Sequence, residues 1–120
     1  MAHMVPLYDR LGTPTAFFIE AEERFVSLGG APAAWLLLSE HVYNYRGAHV
    51  AWWRGDRMLG DDGGLMLWAE GARVAVPLPR PFKQFTIPQP GRNPGHGFFY
   101  TPPDAPSIEA GWSATMFGVW

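Results

Sequence analysis

Val42-Tyr43-Asn44-Tyr45-Arg46-Gly47-Ala48-His49-Val50-Ala51-Trp52 reads as a β-hairpin. An apolar entry leads into a polar turn, a glycine supplies the positive φ the turn needs, and a second apolar stretch ends on an aromatic. The same phrase stands three more times: Leu7 to Phe17 around Gly12, Phe25 to Trp35 around Gly30, and Met58 to Trp68 around Gly63. The anchor glycines lie 18, 17 and 16 residues apart. That period is too short for helical solenoids or propeller blades and fits one hairpin per unit. It predicts an all-β fold of four repeated hairpins, hence eight strands, with pseudo-fourfold symmetry.

Two columns of the repeat carry the packing. Five residues after each anchor stand Phe17, Trp35, Trp52 and Trp68, and one residue earlier stand Ala16, Ala34, Ala51 and Leu67. Strand neighbours face opposite sides of a sheet, so the two rings lie on opposite faces. The small ring suits a crowded axis, and the large ring suits the space between or above the hairpins. Charge collects between the units, at Glu20-Ala21-Glu22-Glu23, Ser39-Glu40-His41, Arg54-Gly55-Asp56-Arg57 and Glu70-Gly71-Ala72-Arg73, as expected of solvent-facing return turns. A lone hairpin is marginal in water, so the four are expected to close around the axis and remove their exposed edges.

At 120 residues, 48% hydrophobic, 15% aromatic and 17% charged, the chain suits one packed, aromatic-rich β domain and not a disordered segment. The net charge of −2 lacks the basic footprint of a nucleic-acid binder. The absence of cysteine leans toward a reducing compartment, so the cytoplasm is the default expectation. The longest apolar run, Ala31 to Leu38, is too short to span a bilayer, and no signal peptide opens the chain. Residues 1–6 read as an N-terminal segment, its Met1-Ala2-His3-Met4 in part a cloning remnant, and residues 7–76 as the four-hairpin domain.

Residues 77–120 change character. Nine of the twelve prolines fall between Pro77 and Pro106, which argues against regular strands or helices. Yet this tail is no polar linker, since it carries Phe82, Phe85, Phe98, Phe99, Tyr100, Trp112, Phe117 and Trp120. An apolar tail of this kind is expected to dock, on its own hairpins, a second copy or another protein.

The series Leu7-Tyr8-Asp9, Pro14-Thr15-Ala16-Phe17, Pro32-Ala33-Ala34-Trp35, Val42 to Trp53 and Asp61-Asp62-Gly63-Gly64 resembles the 4-fold β-flower family, small and mainly bacterial proteins of unknown function. The resemblance covers roughly residues 7–72 and implies four hairpins arranged like petals. It implies no catalytic residue. Many members continue into a Lys/Pro-rich tail, and here Val76-Pro77-Leu78-Pro79-Arg80-Pro81-Phe82-Lys83-Gln84-Phe85 is similar before an aromatic, nearly uncharged ending.

Candidate chemistry is sparse. Asp61-Asp62-Gly63 lacks the EF-hand spacing and reads better as turn chemistry than as a metal site. His49 fills the repeat slot held elsewhere by Pro14, Pro32 and Leu65, and His41 sits in a return turn, so neither shows a partner at a diagnostic spacing. Ser27 and Ser39 lack a nucleophile-elbow context, and Gly60 to Gly64 lacks the Lys-Ser/Thr ending of a phosphate loop. No catalytic set, metal site or cofactor motif emerges. The expected function is a non-enzymatic binding or scaffolding module. Its tail, through Phe82, Phe85, Phe98, Phe99, Tyr100, Trp112 and Trp120, mediates self-association or docks the protein as an accessory subunit of a larger complex. The alternative is a lipid-like or carbohydrate ligand on Phe17, Trp35, Trp52, Trp53 and Trp68, whose aromatic faces suit apolar or sugar rings. A remoter alternative is a hydrolase in which His49, Asp61 and Asp62 converge.

Overall fold

In a computed structural model, which describes residues 3–95, 103–104 and 111–120, eight antiparallel strands close into one barrel in chain order. They are β1 (Met4–Tyr8), β2 (Pro14–Ile19), β3 (Arg24–Ser27), β4 (Pro32–Leu37), β5 (His41–Tyr43), β6 (His49–Trp53), β7 (Arg57–Gly60) and β8 (Leu65–Trp68). The strands pair as the repeat predicts. β1 begins at Met4, ahead of the Leu7 start read from the repeat and inside the segment assigned to residues 1–6. Met4, Val5 and Pro6 pair with Ile19, Phe18 and Phe17.

Each hairpin is built alike. The turn residues Asp9, Ser27, Asn44 and Gly60 accept at their carbonyls from Gly12, Gly30, Gly47 and Gly63, and these glycines hold φ of +81°, +93°, +88° and +80°. The polar turn side chains add a second clasp: Asp9 Oδ1 accepts from Leu11 and Thr13, Ser27 Oγ from Ala31, and Asn44 Oδ1 from Arg46 and Ala48. A β-bulge follows at the same place in all four units, between Leu7/Tyr8, Phe25/Val26, Val42/Tyr43 and Met58/Leu59. A bulge resets the alternation of faces, which sharpens strand twist and helps so small a barrel to close.

The interior is defined by contact across the axis. Phe18 and Phe25 touch Trp53 from the far side, with centroids 4.8 and 5.2 Å apart. Ala16, Ala34, Ala51 and Leu67 face this core, opposite Leu7, Phe25, Val42 and Met58 in register. The small ring therefore occupies the axis, where an eight-stranded barrel has room only for side chains. The barrel seam is its weakest pairing, since β1 meets β8 at Tyr8 and Trp68 alone. Toward the hairpin tips the free flank of β8 takes the C-terminal segment instead: Leu65 N–H donates to Gly111 and Ser113 N–H donates to Leu65.

Candidate functional site

The large aromatic ring lies on the outer face of the barrel, and it is buried: Phe17 is 0%, Trp35 4%, Trp52 2% and Trp68 2% exposed. On an ordinary barrel this face would meet water. Here two things cover it. The first is the neighbouring hairpin. Trp35 Nε1 donates to the Asn44 carbonyl at 3.1 Å and Trp68 Nε1 to the Asp9 carbonyl at 2.7 Å, so each indole of one unit bonds the turn of the next. Trp35 also stacks on Tyr43, and Trp68 packs against Tyr8.

The second cover is the chain beyond β8, which circles the barrel as a belt. Val74, Val76 and Leu78 pack on the cluster of Trp52, Leu59, Leu65 and Trp68. The belt then meets hairpin one, where Phe82 N–H donates to Gly12 and Phe85 sets its edge on Tyr8 and Phe17. At hairpin two, Gly91 N–H donates to Gly30 at 2.7 Å, and Arg24, itself buried and paired with Glu22, donates Nη2 to the Gly91 carbonyl at 2.8 Å. At hairpin three, Tyr45 Oη donates to Asn93 Oδ1. At hairpin four, Asp62 is the anchor: Oδ1 accepts from Gly64 N–H and Ser113 Oγ, and Oδ2 from Ala114 N–H. These donors, the Ala114 amide foremost, hold the Asp62 carboxyl below its ordinary range.

Close approach explains two anchor glycines beyond their φ. A β-carbon on Gly12 would collide with the Arg80 carbonyl, and one on Gly30 with the Gln89 carbonyl. The belt thus rests on the hairpin turns at the positions where a side chain is missing.

Several site residues read from the sequence separate in space. Trp53 points inward, away from the outer ring, because it is the strand neighbour of Trp52; with Val5, Phe18 and Leu36 it borders an open cavity of about 400 Å3 at the return-turn end. Phe85 and Trp112 pack on the outer ring, and Trp120 packs with Phe117 against the barrel core. Phe82 stays 56% exposed. Phe98, Phe99 and Tyr100 lie outside the described residues. Asp62 turns to the tail, whereas Asp61 and His49 come together, with Nδ1 3.3 Å from Oδ1. His41 joins them, its Nδ1 3.2 Å from His49 Nε2. Sequence spacing gave no sign of the Arg24 and Asp62 contacts to the tail. The repeat did hold a trace of the histidine pair, since β5 and β6 are register partners.

A closed barrel of four hairpins wearing its own C-terminal belt is the class of protein that the fold defines. A model of the family described as 4-fold beta flower protein matches residues 5–120, and the chain belongs to that family. The match runs through the belt, beyond the residue 72 limit of the resemblance in the sequence. No curated protein and no solved structure matches the chain. Among the described residues no helix is long and apolar enough to cross a membrane.

Proposed function

We propose that the protein is a non-enzymatic binding and scaffolding module that associates through the outer surface of its tail, with a second copy of itself as the first partner to test. The observation that supports this is the two-sided course of the belt. Its inner side is consumed by the hairpins, while Phe82 and Ile87 stand 56% and 53% exposed on its outer side. Phe82 and Phe85 border, with Pro14 and Leu28 of the hairpins, an apolar groove of about 510 Å3. An apolar patch left open on a small domain marks an interaction surface. Docking as an accessory subunit of a larger complex uses the same surface with a different partner.

Deleting the tail is a poor test, because it uncovers Trp52, Trp68 and Phe17 and drives aggregation by itself. Sedimentation velocity of the full chain across a concentration series is the better one. A concentration-dependent dimer that disappears in Phe82→Asp, with the far-ultraviolet spectrum unchanged, supports the reading. A dimer indifferent to Phe82→Asp refutes the surface, and a strict monomer refutes self-association.

The second reading, an apolar ligand held by the aromatic residues, is favoured at one position only. Trp53 borders open space, whereas Phe17, Trp35, Trp52 and Trp68 would need the belt to lift. Quenching of tryptophan fluorescence by a fatty acid, lost in Trp53→Phe, tests it.

A further inference from the structure

The histidine pair on the outer face of hairpin three plays no part in the belt and has chemistry of its own. His41 on β5 and His49 on β6 present Nδ1 and Nε2 to each other at 3.2 Å, with ring centroids 5.4 Å apart. Their outer nitrogens face carboxylates: His49 Nδ1 lies 3.3 Å from Asp61 Oδ1, and His41 Nε2 lies 3.8 Å from Glu40 Oε1. Both rings rest on Trp52, at 4.9 and 4.6 Å, and His49 sets its edge to Tyr43. Arg54, 6.0 Å over the Trp52 ring, is the nearby cation.

Counting protons makes the site incomplete. Two neutral imidazoles carry two N–H groups. If each carboxylate takes one, as its charge favours, the two inner nitrogens meet as bare lone pairs. If one N–H fills the inner gap instead, a lone pair is turned onto a carboxylate; His49 Nδ1 in fact makes no aligned hydrogen bond. Either way the cluster lacks one positive charge between the rings. A third proton would supply it, but burial holds His41 below its ordinary range and works against that proton near neutrality.

We infer that His41 and His49 form a two-histidine site for a divalent transition cation of the zinc class, with Asp61 and Glu40 as the carboxylates that orient the rings from behind. Imidazole nitrogens bind such ions at about 2.0–2.1 Å, so a tetrahedral ion spaces two of them about 3.3 Å apart, close to the observed 3.2 Å. A carboxylate on the far nitrogen of a ligating histidine is the usual second layer of such sites. Among the described residues no set of three or more His, Cys, Asp or Glu converges on one point, so the remaining positions on the ion fall to water or to an external ligand. This inference is independent of the association proposed above.

Zn2+ is the probe, titrated calorimetrically into the full chain with His3 replaced by alanine, so that the amino-terminal histidine does not compete. The repeat supplies a safe variant: His49→Leu installs the residue that hairpin four already carries in this slot, Leu65. One ion per chain is expected near neutral pH, at least about tenfold weaker in His49→Leu and His41→Gln and weaker in Asp61→Asn. Binding should also fail at about pH 5.5, where protons take the imidazoles. No binding at concentrations up to about 1 mM, or equal binding by wild type and His49→Leu, overturns the inference.

Discussion

Alanine at Gly30 and alanine at Gly55 separate the belt from ordinary backbone strain. Both glycines sit in the left-handed region, at φ +93° and +90°, so both substitutions cost about 1–2 kcal/mol for placing an L side chain there. At Gly55 nothing lies within 4 Å of the new β-carbon, and the cost ends there. At Gly30 the β-carbon meets the Gln89 carbonyl and sits 3.2 Å from Pro88 Cβ, so the belt must withdraw over residues 88–91. Withdrawal breaks the Gly91 to Gly30 bond, worth about 0.5–1.5 kcal/mol, and the charge-assisted bond from Arg24, worth about 1.5–3 kcal/mol. The expected destabilisation is therefore about 1–2 kcal/mol for Gly55→Ala and about 3–6 kcal/mol for Gly30→Ala. Urea unfolding followed by tryptophan fluorescence gives the two values, and hydrogen exchange of the Gly91 amide reports the contact directly. Equal losses in the two variants, or a Gly91 amide as protected in Gly30→Ala as in wild type, would refute the docking of the belt on the hairpin turns.

Three further outcomes follow from named contacts. Asp62→Asn weakens three hydrogen bonds at once and should cost about 1–3 kcal/mol while freeing residues 111–115 to early proteolysis. Because the folded-state pKa of Asp62 lies below 3.8, its contribution is complete above that pH and fades as the pH falls through the lower folded value; unfolding at about pH 3 should hurt wild type more than Asp62→Asn. His41 follows the same sign: its folded pKa is depressed by burial, so the unfolded chain binds the extra proton and stability falls as the pH drops below 6.5, a slope that His41→Gln should flatten in a pH series of urea midpoints. Trp68→Phe removes the indole bond to Asp9 but keeps a ring type that hairpin one already uses at Phe17; thermal denaturation should show a loss of about 1–2 kcal/mol, and a neutral result would deny that bond its part in joining hairpins four and one.

The hairpins and the two faces were legible because both follow from local rules. A glycine at positive φ and a side-chain period of two are properties of a dozen consecutive residues. Met4 to Pro6 escaped, since only pairing with Ile19, Phe18 and Phe17 makes a strand of them. The tail contacts escaped for a different reason. Arg24 to Gly91 spans 67 residues and Asp62 to Ala114 spans 52, and neither pair carries a spacing that an isolated sequence can reveal. His41 and His49 sit between these cases. They are eight residues apart with nothing unusual in the interval, but the register that pairs Tyr43 with His49 and His41 with Trp52 places them diagonally on one face.

The prolines of the tail and the apolar outer face of the barrel are two halves of one solution. A barrel whose outer ring is Phe and Trp cannot end at its own strands, because those faces need an apolar cover. A ninth strand would provide one and leave a new edge of unpaired donors and acceptors to recruit other chains. An extended segment with nine prolines covers the same rings while offering few amide donors to its outer side. The N–H groups that this segment does place on the hairpins, those of Phe82, Gly91, Ser113 and Ala114, come from residues other than proline. Loss of regular structure after β8 is thus a condition of covering the barrel without extending it.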